Sequence, residues 1–401
     1  MKAHRVVVTG MGVVTPLGSS LEAFEEGLLA GRSGVRPISI FDARTFPTRI
    51  AAESTLPTEV PLGDRKIAFA LEAARQAMRG IPNLQNAGVS FGVGLELFSM
   101  DDLVRAERPG FVLPEGALER LSFMQTPSDL CVHLIASEFG LNAPPRVHVS
   151  ACAAGTDALG NAYSLVATGR RRAMLAGGTD SMINPLGVAG FCALSATTSR
   201  CEEPERASRP FDRTRDGFVM GEGAAALVLE RLDDAKARGA EVFAEIRGYG
   251  NSLDACGISE PHPEGRGALQ AMERALADAG LSPDAIDSVN AHGTGTPKND
   301  LIETLALKRL FGARAKSVPI VATKSMIGHL ISAAGAVEAV AAILCMRRGA
   351  LHPTINLHEP DPACDLDYVP NVARDHVQDH VLSASYGFGG HNAAIVLSRM
   401  P

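Results

Sequence analysis

Tryptophan is absent from the 401-residue chain, while forty residues are glycine. Together these point to tight turns and close backbone contacts. No CxxC pair occurs among the seven cysteines (131, 152, 192, 201, 256, 345, 364), an odd and widely spread set. That excludes a disulfide framework and a zinc site, and it fits a reducing compartment. No signal segment is visible either: Met1-Lys2-Ala3-His4-Arg5 leads straight into Val6-Val7-Val8, too short for a signal core and without a cleavage site. The longest apolar stretch, Leu330–Met346, carries Glu338 in its middle, so a helix buried in protein is expected and not a membrane span. A net charge of −7 argues against general nucleic-acid binding and leaves room for local basic patches. What is there is ordinary for a folded cytoplasmic protein, 46% hydrophobic and 21% charged. The length allows a large core built as two halves.

One stretch organises the rest, Val147-His148-Val149-Ser150-Ala151-Cys152-Ala153-Ala154-Gly155-Thr156. An alternating run ends at Ser150, and a helical pattern (Ala158, Leu159, Ala162, Leu165, Val166) follows until Gly169. Cys152 is thus placed at a strand-to-helix turn, beside unpaired helix N–H groups whose partial positive charge favours a thiolate. The small neighbours Ala151, Ala153 and Ala154 leave room for a carbonyl to reach the sulfur. A buried structural cysteine is the competing reading for any single thiol.

In chain order, Arg5–Thr9 reads as a strand and Gly10–Gly18 as a turn, with Thr15 where a dinucleotide fingerprint needs its third glycine. Ser19 or Ser20 caps a helix over Leu21–Ala30. Asp64–Arg79 is an amphipathic helix, Val89–Leu95 a strand, Ser128–Phe139 a helix and Ala173–Gly178 a short buried strand. Arg200–Arg215 reads as a charged surface loop and Ala224–Leu229 as a strand. The seam is placed at Gly239, giving halves 1–240 and 241–401. The second half opens with a strand, Val242–Tyr249, and a turn at Gly250-Asn251-Ser252, so an internal duplication is expected.

The second half holds chemistry that could serve Cys152. His292 lies where a strand gives way to the turn Gly293-Thr294-Gly295-Thr296, and Asp300 and Glu303 share one face of the next helix. There they could orient a cation or be solvated. Lys324 and His329 precede the long apolar helix, an odd place for polar groups unless they are paired or working. A helix-start cysteine with two histidines in small-residue turns forms a catalytic constellation.

Ser150-Ala151-Cys152, Ala291-His292-Gly293-Thr294-Gly295-Thr296, Lys324-Ser325-Met326-Ile327-Gly328-His329 and Gly387-Phe388-Gly389-Gly390-His391-Asn392, in this order, resemble an elongating β-ketoacyl-[acyl-carrier-protein] synthase. Ser208–Asp212 and Asp216–Gly223 extend the likeness. The resemblance implies an α/β thiolase-like fold, with duplicated halves in five αβαβα layers. It implies that Cys152 takes an acyl chain from acyl carrier protein, and that His292 and His329 bind malonyl thioester and stabilise the enolate. Backbone N–H groups of Cys152 and Phe388 would form an oxyanion hole, with Gly387, Gly389 and Gly390 allowing close approach. Lys324 would hold a catalytic histidine, with Glu303 and Asp300 in its charge network. Phe388 matches a gating phenylalanine and Phe218 one beside the decarboxylation site, and Thr294, Thr296 and Gly389 fall in the substrate-binding motifs. No metal or redox cofactor is required.

Thiolases carry a second cysteine where Gly387–His391 has none. Initiating synthases have an asparagine at the place of His329, and chain-length factors lack the cysteine. Departures from housekeeping enzymes (Phe91–Leu97 within Ser90–Leu113, Met124–Leu130, Ala153-Ala154) point towards type II polyketide or polyene elongation as an alternative to fatty acid synthesis. The partner is then a chain-length-factor-like homologue instead of a second copy in a homodimer. A non-condensing subunit, or a decarboxylase that does not condense, is the opposed reading. Arg65, Lys66, Arg200 and Arg206 are the candidate docking cations for the acidic carrier, or ordinary solvated charges.

Overall fold

Valine-rich and small-residue runs become the strands of one large sheet in the computed structural model, which describes residues 4–55, 63–81, 84, 86–95, 97–98, 110, 112 and 125–400. Those of the first half are β1 Val6–Val14, β2 Gly88–Val93, β3 Arg146–His148, β4 Ala173–Asp180 and β5 Gly223–Arg231. Those of the second are β6 Ala244–Leu253, β7 Ser288–Asn290, β8 Ile320–Val321, β9 His380–Gly387 and β10 His391–Ser398. The order is β8-β7-β9-β10-β6-β1-β5-β4-β2-β3. Outward from the β1–β6 junction each half repeats the same sequence of pairings: antiparallel, antiparallel, parallel, parallel.

Helices complete the layers: α1 Leu21–Leu29, α2 Arg65–Ala77, α3 Leu130–Phe139, α4 Ala154–Ala167, α5 Pro185–Ala193, α6 Arg266–Ala279, α7 Pro297–Phe311 and α8 Ala334–Arg348. α4 and α8 pack on each other as the central layer, α4 against β2 and β4, α8 against β9. α2 and α3 cover the outer face of the first half, and α6 and α7 that of the second. These are the five layers the sequence motifs imply. Ser20 caps α1, its Oγ accepting from Ala23 N at 3.2 Å, and Asp64 caps α2. α8 is buried from Ala334 to Met346, as its all-round apolar sequence requires.

Two expected turns are not turns. β1 runs on through Gly10-Met11-Gly12 and β6 through Gly250-Asn251-Ser252. A Cβ on Gly10 or Gly12 would lie 2.1 or 2.0 Å from the carbonyls of Ala77 and Ala73 in α2. A Cβ on Gly248 or Gly250 would lie 2.3 Å from those of Ala275 and Ala271 in α6. The glycines let a helix lie directly on the strand. Each pair also follows a register shift, Val8/Gly10 and Ile246/Gly248, so the halves repeat a bulge as well as a strand order. The expected surface loop 200–215 is also partly core, with Ala207, Ser208, Phe211, Asp212 and Arg215 buried. Much of the divergent stretch 90–113, and Met124, lie outside the described residues.

Candidate active site

Cys152 is positioned by a chain reversal between β3 and α4. Ala151 opens a 3₁₀ turn, Ala151–Ala153, at φ +48°, a conformation alanine adopts only under constraint. Gly387 presses on this turn: a Cβ there would lie 2.8 Å from Ser150 O and 3.1 Å from Cys152 N. The sulfur of Cys152 is buried, and the backbone N–H groups of Phe388 and of Cys152 itself lie near enough to favour its charged form. Burial nevertheless pushes the thiol up to about 12, against the pull of the Lys324 charge and these two donors. Burial, the largest influence on the sulfur, thus opposes the thiolate expected at the helix start. Below its pKa the thiolate fraction grows ~tenfold per pH unit. Alkylation of Cys152 by iodoacetamide, followed on its own peptide, is expected to climb through pH 7–9.5 without a plateau. A plateau near pH 7 would restore the thiolate reading.

His292 follows β7, and the backbone donates at 2.7 Å from His292 N and 2.8 Å from Gly293 N to the two oxygens of Glu303. Asp300, one turn earlier in α7, accepts from Phe211 N (2.8 Å) and Gly295 N (3.2 Å) and faces Arg215 at 3.5 Å. Both carboxylates are buried, so they brace the loop and are not solvated. Burial raises Glu303 to about 7.

His329 follows the single helical turn Lys324–Ile327. Ile331 N donates to its Nδ1 at 3.1 Å, which fixes the proton on Nε2. That Nε2 and the Nδ1 of His292 are buried without a hydrogen-bond partner among the described residues. The two imidazole centroids are 5.3 Å apart at 85°, with Phe218 edge-on to His329 at 5.1 Å and Tyr386 beside His292 at 5.6 Å. Cys152 Sγ and one nitrogen of each histidine lie within 4.8 Å of one another. Burial, reinforced by Lys324, holds both imidazoles well below their ordinary value, so they are neutral at pH 7. Donors aimed at one small volume suit an oxyanion better than a cation.

Lys324 is buried and its ion-pair partner is Glu338, inside α8. Glu303 feels the Lys324 charge as the resemblance implies, but its hydrogen bonds, like the backbone ones of Asp300, brace the loops around His292 and Phe211. In the sequence Glu338 reads only as an interruption of an apolar run. A lone carboxylate in such a helix, downstream of a lysine in a small-residue loop, is the available signal. Asp180, at the end of β4, escapes sequence reasoning too. Its Oδ2 accepts from Ser332 N at 2.9 Å and so anchors the segment after His329, and burial raises its carboxyl to about 6.

A cavity of about 480 Å³ leads from these groups to the surface. Thr294 and Thr296, hydrogen-bonded at 2.9 Å, line it with Phe218, Phe388, Gly387 and Gly390. Gly389 is not part of the lining; its φ of +79° shapes the loop, and its N–H donates to Ile258 O at 2.6 Å.

Of the four docking cations, Arg200 and Arg206 are half exposed. Lys66 is not at the surface: it is buried in an ion pair with Asp64. Arg65 turns inward to Glu222 and Ser54 O. Both assignments are corrected, because the first turn of α2 faces the core. Lys66→Ala is expected to cost about 3–5 kcal/mol in urea unfolding by stranding Asp64, with KM for carrier-bound substrate unchanged. A raised KM at unchanged stability would return Lys66 to a docking role.

Duplicated α/β halves with a thiol where they meet define the thiolase-like class. Within it the chain belongs to the β-ketoacyl synthase family: residues 3–235 match the family's N-terminal domain and residues 243–358 its C-terminal domain. It is 42% identical over 417 residues to the 3-oxoacyl-[acyl-carrier-protein] synthase 2 of Coxiella burnetii, covering 100% of both chains. It is 41% identical over 414 residues to the tetracenomycin polyketide synthase ketoacyl synthase alpha subunit of Streptomyces glaucescens, covering 98% of this chain and 97% of that one. Among solved structures it resembles the ketosynthase of the AntDE:AntF complex, a type II polyketide ketosynthase bound to its acyl-carrier protein and a hexaketide. That match has a TM-score of 0.88 and 32% identity, over 99% of this chain and 100% of that one. The ishigamide ketosynthase/chain length factor matches with a TM-score of 0.86 and 33% identity, over 99% and 100%.

Proposed function

We propose that the protein condenses a malonyl thioester with an acyl chain carried on Cys152, both delivered by acyl carrier protein, to give a β-ketoacyl thioester. The observation that carries this is the convergence of Cys152 Sγ with His292 and His329 inside 4.8 Å of buried space. In the first step the sulfur attacks the acyl thioester, and its proton leaves with the carrier thiol. The N–H groups of Cys152 and Phe388 hold the oxyanion that forms. In the second, the neutral imidazoles of His292 and His329 hold the malonyl carbonyl oxygen while carbon dioxide departs. The electron pair left behind becomes an enolate. This attacks the acyl carbonyl, the Cys152 thiolate leaves and takes up one proton from solvent, and no redox change occurs, so side chains and backbone donors suffice without a metal or cofactor.

The relatives divide between 3-oxoacyl-[acyl-carrier-protein] synthases and polyketide ketoacyl synthases, and both names support the condensation proposed. A dimer in the cytoplasm, with itself or with a chain-length-factor-like homologue, is the assembly we propose. Arg200 and Arg206 supply docking charge: Arg200→Glu with Arg206→Glu is expected to raise KM for acyl carrier protein about tenfold at low salt, with kcat unchanged and the effect fading as salt rises. An unchanged KM would remove both from the docking face. The function itself is tested by intact-protein mass spectrometry with acyl-carrier proteins of several chain lengths, then malonyl-carrier protein. An acyl adduct consumed as β-ketoacyl-carrier appears is the expected result. No adduct from any donor, with or without a homologous partner subunit, would overturn it.

A further inference from the structure

A second cleft lies at the far end of α4 from Cys152, about 20 Å away by helix rise. Its volume is about 630 Å³, more than that of the catalytic cavity. Its walls are the turn after α4, the end of β5 and the short helix Leu232–Ala237 with the residue that follows it. Five arginines line it against two carboxylates, in a protein whose net charge is −7. Two of the five are matched locally: Arg172 with Asp234, and Arg238 with Glu230 at 2.6 Å. Arg170, Arg171 and Arg231 form no ion pair among the described residues. Arg231 donates from Nη2 to Gly169 O at 2.9 Å, which ties the turn to the strand, but its Nε is buried with no acceptor. Arg171 donates from Nη1 to Arg170 O at 3.1 Å and Arg170 is exposed, so the cleft carries three cations without a paired carboxylate, one of them with an unsatisfied guanidinium nitrogen. The side chains of Leu84, Ala87 and Ala173 add an apolar wall.

We propose that this cleft binds a small organic polyphosphate. Planar guanidinium forks match tetrahedral oxyanions with paired N–H bonds. Several anionic groups in a row are needed to satisfy three arginines at once, and the volume is that of a small-ligand pocket. The apolar wall suits the organic body of such a ligand. The site is separate from the catalytic cavity and independent of the reaction proposed above.

The test is calorimetry on the intact protein near physiological ionic strength, with sodium tripolyphosphate and adenosine triphosphate as probes, against the Arg170→Gln/Arg171→Gln variant. Saturable one-to-one binding of triphosphate, weakened about tenfold or more in the variant, is expected. The variant should keep its melting temperature and its condensing rate. Tighter binding of the nucleotide than of bare triphosphate would assign the apolar wall to an organic body; equal binding would place all recognition in the phosphate chain. Either supports an oxyanion site. Heats that do not saturate, or affinity unchanged in the variant, would overturn the proposal. So would binding of an acidic peptide but not triphosphate, which would make the cleft a protein contact.

Discussion

Cys152→Ala is expected to lose condensation by at least ~10³-fold while still releasing carbon dioxide from malonyl-carrier protein. In the mechanism proposed, the two halves of the reaction draw on different groups. Acyl transfer needs the sulfur and the N–H donors of Cys152 and Phe388. Decarboxylation needs only the neutral imidazoles, whose placement depends on Glu303 and on the Ile331 N–H and not on the thiol. Removing one small buried sulfur perturbs the fold by about 1 kcal/mol, so lost activity reads as lost chemistry. The measurement is paired: acyl adduct by intact mass, and carbon dioxide release from labelled malonyl-carrier protein. Persistence of the adduct would move the nucleophile elsewhere. Loss of carbon dioxide release in parallel would mean that the histidines cannot work without the sulfur.

Residues whose chemistry is local are legible in the amino-acid sequence. Cys152 at a strand-to-helix turn, His292 in a glycine turn and His329 before an apolar helix all converge, because each motif fixes its own backbone and the duplicated halves bring the motif ends together. What escapes is relational. A glycine in a strand-like run has two physical uses, a turn or a close approach, and local sequence does not separate them. Gly10, Gly12 and Gly250 sit in such runs; read locally they suggest turns, yet with Gly248 they admit the carbonyls of α2 and α6. Burial is relational as well. Arg65 and Lys66 look like solvated charge at a helix start, and only the packing of α2 against β1 and β5 turns them inward. The same reasoning applies to the thiol: the helix terminus is visible in sequence, but the burial that raises its pKa is not.

The second large effect is expected at Lys324. Lys324→Met strands the Glu338 carboxylate inside α8, which costs about 3–5 kcal/mol for a buried pair broken on one side. Replacing both partners, Lys324→Met with Glu338→Leu, removes the stranded charge and is expected to bring stability back to within ~1 kcal/mol of wild type, since apolar substitutes for a buried pair are often neutral. Condensation should not return with it. The Lys324 charge is one reason that His292 and His329 titrate so far below their ordinary value. Without it both pKa values rise, and each imidazole loses its neutral form at a higher pH as the solution is acidified. The acid limb of the pH–rate profile therefore moves to higher pH in the double variant, and it does so in a protein that melts like wild type. Urea unfolding and the pH–rate profile together separate the two roles. A double variant with normal stability and an unshifted profile would reduce Lys324 to a structural partner of Glu338. An unshifted profile is hard to reconcile with a lysine buried behind two imidazoles, where little water remains to screen its charge.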